Sequence, residues 1–123
     1  MVSRSRRIGK FPNLEADIVA FADAFIALVD RDADVALFTA VRRDDRRFAL
    51  YAITHSLHVA ALSLMGARLL GWEPARVRTA VLAALTMNVS TIELQAVLAE
   101  QEDPPTARQR EQIQTHPMRS AQL

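Results

Sequence analysis

Three histidines are the side chains of this sequence best suited to chemistry near neutral pH, since the chain contains no cysteine. His55 and His58 lie three residues apart in an apolar segment, and His116 stands directly before Pro117. Residues three positions apart, such as His55 and His58, share one face of a helix. A neutral imidazole can bind a transition metal. The alternative is a core histidine that is hydrogen-bonded to a neighbour.

A second segment of interest runs from Leu82 to Thr91 and has the sequence LAALTMNVST. It ends an apolar helix, and helix bundles build their metal sites from side chains that project into such buried places. Its polar residues are only Thr, Asn and Ser, none of which titrates near neutral pH. The segment is therefore either a site that has lost its ligands or a helix end that never held any.

Helical periodicity predicts the elements that carry these residues. Asn13 is a favourable N-cap for a first helix, and the acidic run at residues 30–34 is expected to bend or restart that helix. A second main helix is predicted over residues 48–70 and ends at Gly71. Because residues 48–70 are apolar nearly all round, we expect this helix to be central and buried on most sides.

The second half of the chain contains further helix start signals. Pro74 suits the first turn of a third helix, which ends around Asn88. Residues 90–93 and 106–109 match capping boxes and each predict a new helix. The last of these should stop before Pro117, which would then open another helix, so we expect the chain to be a fragment or a natural truncation. No strand-like alternation occurs, and the predicted fold class is all-α, a compact bundle of five to six helices.

Composition narrows the classes of function. The net charge is +1, which weighs against a nucleic-acid or membrane partner that binds through overall charge. The absence of cysteine suits a cytoplasmic protein. Residues 1–12 contain Arg4, Arg6, Arg7 and Lys10 and are expected to form a flexible basic arm. The apolar runs are interrupted by polar residues, so no membrane span is predicted.

From about residue 44 onward, the sequence resembles the first half of an HD-GYP domain, a branch of the HD metal-dependent phosphohydrolases. The matching residues are His55-Ser56, Val59-Ala60, Ile92, Val97-Leu98, Pro104, Pro105, Thr106, His116-Pro117 and Ala121-Gln122-Leu123. The resemblance implies an HD-domain-like fold over residues 42–123, preceded by leader helices at residues 13–41. The pair His116-Pro117 favours the HD-GYP branch over the wider group.

The catalytic element departs from the family pattern. Met87-Asn88 stands where the family has its metal-binding His-Asp doublet, and Ser90-Thr91 replaces a Gly-Lys pair. His55 and His116 are the remaining matches to ligand positions, and Tyr51 occupies a position where some members carry a carboxylate. Two imidazoles without a carboxylate suit adventitious Ni or Zn at most. We therefore expect no catalytic residue, no resident metal and no cofactor.

Simpler roles follow for these positions. Met87 would fill the vacated space, and the Asn88 side chain would hydrogen-bond the helix end or the next backbone segment. His55 and His116 would face each other across the former pocket, bridged by water or by Thr86. Trp72 is expected to pack at a helix junction, with a role at an interface as the alternative.

Three functions remain open from the sequence. The leading hypothesis is a non-catalytic regulatory module in signal transduction, which self-associates or docks a protein partner on a degenerate HD-GYP-like scaffold. The second is a phosphohydrolase or cyclic di-GMP phosphodiesterase with an atypical metal set. The third is a nucleotide-binding sensor without hydrolysis, in which Arg68, Arg76 or Arg78 would meet phosphate.

Overall fold

A computed structural model describes residues 13–41 and 51–123, and within these residues the chain is all-α. It contains the helices α1 (Leu14–Arg31), α2 (Ala33–Val41), α3 (Tyr51–Leu69), α4 (Pro74–Thr86), α5 (Ile92–Glu100) and α6 (Ala107–Ala121). A 3₁₀ turn, Val89–Thr91, links α4 to α5. The predicted fold class is confirmed. The basic arm, the charged residues 42–47 and the predicted start of the second main helix at residue 48 lie outside the described residues.

The acidic run separates α1 from α2, as the sequence predicts. Asp32 leaves the helical region with φ −157°, and its Oδ1 accepts a hydrogen bond from the Val35 backbone N–H at 3.0 Å. This carboxylate therefore caps the restarted helix α2. Asn13 does occupy the N-cap position of α1, but its side chain makes no capping hydrogen bond.

Gly71 ends the segment after α3 in a left-handed conformation with φ +67°. The Trp72 N–H donates to the Ala67 carbonyl and the Gly71 N–H donates to the Arg68 carbonyl, both at 3.0 Å. These two bonds form a Schellman motif, which satisfies carbonyls that the helix end leaves open. The turn reverses the chain so that α4 packs back along α3, and the predicted end at Gly71 is confirmed.

We expect Gly71→Ala to lower the free energy of unfolding by about 1 kcal/mol, because only glycine adopts positive φ without strain. A Cβ at Gly71 would meet no atom within 4 Å, so the loss comes from the backbone alone. Gly66→Ala is the matched control, since a Cβ there is equally unobstructed and the residue lies inside α3. In urea unfolding, Gly71→Ala should lower the free energy of unfolding and Gly66→Ala should raise it. Equal effects would contradict the proposed role of φ at Gly71.

The core lies where α1 crosses the pair formed by α3 and α4. It consists of small side chains with a few larger ones: Ala22, Val29, Ala60, Leu64, Ala67, Val77, Val81 and Ala84. Leu64 and Val81 are the largest side chains that are fully buried. Because Ala22 and Val29 belong to this cluster, the predicted leader helix α1 shares its core with α3 and α4.

Helix α3 is less buried than its apolar sequence predicts. Its buried side chains are mostly alanines: Ala52, Ala60, Ala61, Leu64 and Ala67. Ile53, Leu62 and Leu69 are exposed instead. The expectation of burial on most sides is therefore wrong for Ile53, Leu62 and Leu69, while it holds for Leu64. The reason is that the alanine face allows close packing on α4, while large apolar residues at other angles lie beyond the packed helices.

The start of α6 follows the predicted capping box. The Gln109 N–H donates to Thr106 Oγ1 at 3.2 Å, and the Thr106 N–H donates to Gln109 Oε1 at 2.8 Å. The Gln109 amide also donates to Gln101 Oε1 at 2.8 Å, which fixes the loop between α5 and α6. The other predicted capping box is wrong. Thr91, not Ser90, is the N-cap of α5, and it makes no side-chain capping bond.

The prediction that the last helix stops before Pro117 is also wrong, because Pro117 lies inside α6. Proline has no N–H, so the Ile113 carbonyl one turn earlier lacks its usual helical donor. His116 Nδ1 instead donates to that carbonyl, and the helix continues to Ala121. The segment 116–121 is thus the C-terminal part of α6, not the start of another helix.

One apolar run, Pro74–Glu100, has the length and composition of a membrane span, with a mean hydropathy of 1.5 over its most apolar window. This run is longer than the sequence reasoning above allowed. It is not one continuous α-helix, because α4 ends at Thr86 and a 3₁₀ turn precedes α5. A helix rises about 1.5 Å per residue, so neither α4 nor α5 alone reaches the roughly 30 Å of a bilayer's hydrocarbon core.

Candidate functional site

His55 lies half-buried on α3 and stacks on Tyr51 one turn earlier. The two ring centroids are 5.7 Å apart and the rings are nearly parallel, at 8°. Stacked aromatic pairs at such distances are favourable beyond the area they bury. The site for which the resemblance implies an imidazole ligand and a neighbouring carboxylate is therefore an aromatic pair on one helix face.

His116 is held by the helix that contains it. Its Nδ1 faces the Ile113 carbonyl oxygen, which can only accept, so Nδ1 carries the proton and donates. When the ring is neutral, Nε2 is left with a lone pair. This is the tautomer that metal-bound histidines adopt when a backbone carbonyl orients them. The same hydrogen bond gives the Ile113 carbonyl a donor in place of the N–H that Pro117 lacks.

The structure does not join the two candidate ligands. Among the described residues no hydrogen bond or ring contact connects His55 with His116, and no group of three or more His, Asp or Glu side chains could hold a metal. The Thr86 hydroxyl, expected as a bridge, donates to the Leu82 carbonyl of its own helix at 2.8 Å. His55 and His116 are each engaged with a residue of their own helix.

Met87 and Asn88 form the end of α4 and the entry to the 3₁₀ turn. The Met87 N–H still donates to the Ala83 carbonyl at 2.8 Å, and the Met87 side chain is half-buried. Asn88 is buried, and its backbone carbonyl accepts from the Thr91 N–H at 2.9 Å and from Thr91 Oγ1 at 3.2 Å. The expected capping bond from the Asn88 side chain is not formed. Its backbone closes the turn instead.

Ser90 performs a role that the sequence did not reveal. Its hydroxyl lies 2.8 Å from Ser120 Oγ and donates to the His116 carbonyl at 3.2 Å, and its N–H reaches Ser120 Oγ at 3.3 Å. These bonds attach α6 to the 3₁₀ turn at the turn of helix that contains Pro117. A serine thirty residues earlier in the chain offers no local signal for this pairing.

A groove with a volume of about 290 Å³ opens beside the 3₁₀ turn. Its described lining residues come from α1, α3, α4, the turn and α5: Asp17, Ile18, Phe21, Ala52, Ile53, Ser56, Leu57, Leu85, Thr86, Val89 and Ile92. Ser56 Oγ donates to the Ala52 carbonyl at 3.0 Å, just as Thr86 does within α4. The free lone pairs of both hydroxyls and the Asp17 carboxylate therefore give the described lining only hydrogen-bond acceptors.

The three arginines considered as phosphate ligands contact neighbouring side chains. Arg78 makes a two-pronged ion pair with Asp23, with both N–O distances 2.6 Å, and Arg68 pairs with Asp30 at 2.6 Å. The Arg76 guanidinium lies 3.9 Å from the centroid of the Trp72 ring, a cation–π contact. None of the three belongs to the described lining of the groove. They connect α1, α3 and α4 at the outer surface.

Trp72 is half-buried and packs against the core cluster at the junction of α3 and α4, as predicted. Its position after Gly71 is set by the Schellman motif. The Arg76 guanidinium lies over one ring face, so the indole lies between the core and a positive charge. The packing role predicted for Trp72 is confirmed.

The Asp23–Arg78 pair makes stability depend on pH in one direction. The hydrogen bond from Arg78 holds the pKa of the Asp23 carboxyl below its ordinary value of 3.8. Because the pKa is lowered in the folded state, the stabilisation is complete above pH 3.8 and is lost as the pH falls through the lowered pKa. Asp23→Asn should therefore destabilise the protein at pH 7 and make no difference in acid. Urea unfolding of the wild type, Asp23→Asn and Arg78→Gln from acid to pH 7 tests this prediction. If the variants remained less stable than the wild type in acid, the prediction would be contradicted.

Comparisons with protein-family models, with curated proteins and with solved structures found no match for this chain.

Proposed function

We propose that this chain is a non-catalytic interaction module that works by self-association or by docking a protein partner in a regulatory, signal-transducing role. The observation that carries the proposal is the number of large apolar side chains at the surface of the described residues. Those exposed by more than half include Phe21, Leu28, Val35, Phe38, Tyr51, Ile53, Leu62, Leu69, Leu70, Val97, Met118 and Leu123. Where exposed apolar side chains adjoin one another, they form the patches that are typical of interaction sites.

The small core supports the same proposal. Half of the residues of the core cluster are alanines, which bury little apolar area, while several leucines and phenylalanines of α1, α2 and α3 face outward. Burial of apolar area is the main favourable term in folding, at about 25 cal/mol per Å². A chain that leaves many large apolar side chains exposed gains further stability when a partner covers them.

The chemistry at Met87 and Asn88 supports a non-catalytic role. Hydrolysis of a phosphodiester by metal-bound water needs ligands that hold a hard or borderline cation and lower the pKa of its water. A thioether is soft and uncharged, and a neutral amide cannot bridge two divalent ions. Asn88 is buried, and its described hydrogen bonds are made by its backbone carbonyl to Thr91.

Elemental analysis and sedimentation velocity on the purified chain test the proposal. We expect less than roughly one metal ion per ten chains and a sedimentation coefficient that rises with protein concentration or on addition of a partner. Stoichiometric metal, together with cleavage of bis(p-nitrophenyl) phosphate, would overturn the non-catalytic assignment.

The phosphohydrolase alternative retains one favourable observation, the tautomer of His116. With Nδ1 donating to the Ile113 carbonyl, Nε2 of the neutral ring is the nitrogen that could bind a metal. This alternative predicts that His116→Ala removes both metal and phosphodiester cleavage. His58→Ala is a matched control, because the resemblance assigns no ligand role to that histidine. Equal metal content in both variants would count against the alternative.

The nucleotide-binding alternative has less support. The described lining of the groove offers acceptors and a carboxylate, which repel phosphate, and Arg68, Arg76 and Arg78 are engaged elsewhere. Titration calorimetry with cyclic di-GMP should therefore give no heat of binding. Saturable heat that Asp17→Asn increases would revive this alternative, because removal of the carboxylate would relieve its repulsion of the phosphates.

A further inference from the structure

The groove beside the 3₁₀ turn is lined mainly by apolar side chains. Those that α1, α3 and α4 contribute to its described lining include Ile18, Phe21, Ile53, Leu57 and Leu85. Its volume of about 290 Å³ is close to the lower end of the roughly 300–1,000 Å³ that small-molecule sites occupy. A single turn of an α-helix, about 10 Å wide and 5.4 Å long, would need roughly 400 Å³. The groove therefore has the size for a small molecule and not for an embedded helix.

Helix α1 carries three aspartates, and the one that lines the groove is unpaired. Asp23 and Asp30 each form an ion pair at 2.6 Å, with Arg78 and Arg68. Asp17 is exposed and belongs to the described lining of the groove. No hydrogen bond or ion pair joins its carboxylate to another residue in the described part of the chain. The groove therefore has a negative charge at its edge that no described cation neutralises.

The two hydroxyl groups of the groove favour the same kind of ligand. The half-buried Ser56 and Thr86 hydroxyls donate to carbonyls of their own helices, at 3.0 and 2.8 Å, so each oxygen offers a ligand only lone pairs. A complementary ligand must combine an apolar body with hydrogen-bond donors and a positive charge. A primary ammonium group has three donors, no acceptor and a positive charge near neutral pH.

We propose that this groove binds a small primary amine with an apolar body. The ammonium group pairs with the Asp17 carboxylate, and the hydrocarbon part lies between α1, α3 and α4. This site goes beyond the interaction function proposed above, because a small ligand occupies it without a protein partner. An exposed ion pair changes an affinity by about fivefold at most. Burial of the hydrocarbon therefore supplies most of the affinity, and the carboxylate supplies the selectivity for a cation.

An NMR titration of the isotope-labelled full chain with octylamine tests the site. We expect saturable shifts of the Ile18, Ile53 and Leu85 amide resonances, with a Kd of roughly 0.1–1 mM for a ligand of this size. Octanoate has the same chain length and the opposite charge, and it should bind about tenfold more weakly. Equal binding of the two ligands would overturn the proposal. Shifts that are spread over exposed apolar residues outside the groove would also overturn it.

Asp17→Asn tests the role of the charge. It should weaken octylamine binding about three- to fivefold and strengthen octanoate binding by a similar factor, because an electrostatic change moves the two ligands in opposite directions. Glu15→Gln is the matched control. Glu15 is also exposed and acidic in the first turn of α1, but it is not part of the described lining. If the two variants had the same effect, the charge of the helix end would decide the affinity and the role of Asp17 would be wrong.

Ile53→Trp tests the location, because the larger side chain would fill the groove. It should weaken octylamine binding at least about tenfold. Leu62→Trp is the matched control, since Leu62 is 60% exposed against 52% for Ile53 and lies on the same helix outside the described lining. Circular dichroism shows whether each variant is folded. Undiminished binding by folded Ile53→Trp would overturn the site. Groove resonances that shift with protein concentration alone would also overturn it, because a second copy would then occupy the groove.

Discussion

Replacing Leu64 by alanine is expected to lower the free energy of unfolding by about 3–4 kcal/mol. Leu64 has no exposed surface and lies at the centre of the cluster that joins α1, α3 and α4. Its neighbours are mainly alanines and valines, whose short side chains cannot move far enough to fill the cavity. Since a domain of this size is stable by only about 5–15 kcal/mol, this one change removes a large part of the total.

Leu69→Ala is the matched control for that experiment. Leu69 lies in the last turn of the same helix and is 89% exposed, so its truncation should change stability by less than about 0.5 kcal/mol. Urea unfolding of both variants at the same low protein concentration, which keeps the chain monomeric, gives the two values. If Leu64→Ala were as mild as Leu69→Ala, the alanine-rich cluster would not be the stabilising core.

Replacing Pro117 by alanine is expected to stabilise the protein by about 2 kcal/mol. Proline inside a helix is about 3 kcal/mol less favourable than alanine, and its stiffening of the unfolded chain offsets up to about 1 kcal/mol of that. The substitution also restores an N–H donor for the Ile113 carbonyl. Because Ser90 holds the following turn through Ser120 and the His116 carbonyl, the gain should appear in global unfolding.

Pro74→Ala is the control, because Pro74 begins α4, where proline is well accommodated. The same substitution should there be neutral or destabilise by up to about 1 kcal/mol. His116→Ala provides a second measurement. It should destabilise the wild-type protein, but it should have less effect in the Pro117→Ala background, because the Ile113 carbonyl then has a backbone N–H donor. If Pro117→Ala destabilised the protein, the continuous helix through residue 117 would be wrong.

The residues at the positions of the HD-GYP resemblance all make contacts within the helices and the turn that contain them. His116, a residual ligand position, donates to the Ile113 carbonyl one turn before Pro117, and His55, the other, stacks on Tyr51. Met87 and Asn88 close the turn below α4. Each of these positions thus makes a local structural contact in the described residues. The resemblance itself stays a prediction.

The sequence by itself determined the elements that local chemistry specifies. Gly71 ends α3 because only glycine takes positive φ freely, Pro74 begins α4, and Thr106 with Gln109 caps α6. Asp32 restarts the chain as α2 with a bond to a residue three positions later. In every case the deciding interaction joins residues a few positions apart, so their order in the chain is enough to predict it.

The tertiary structure alone decided which apolar residues face outward and which polar residues pair. Ser90 bonds to Ser120 instead of capping α5, because α6 brings a second hydroxyl and a carbonyl within reach. Pro117 lies inside a helix, where the His116 side chain gives the Ile113 carbonyl a donor in place of the missing N–H. Leu64 is buried and Leu62 exposed, although both are leucines of one apolar helix. The packing partners of α3 cover only part of its circumference, and a helix sequence that is apolar all round does not specify which part.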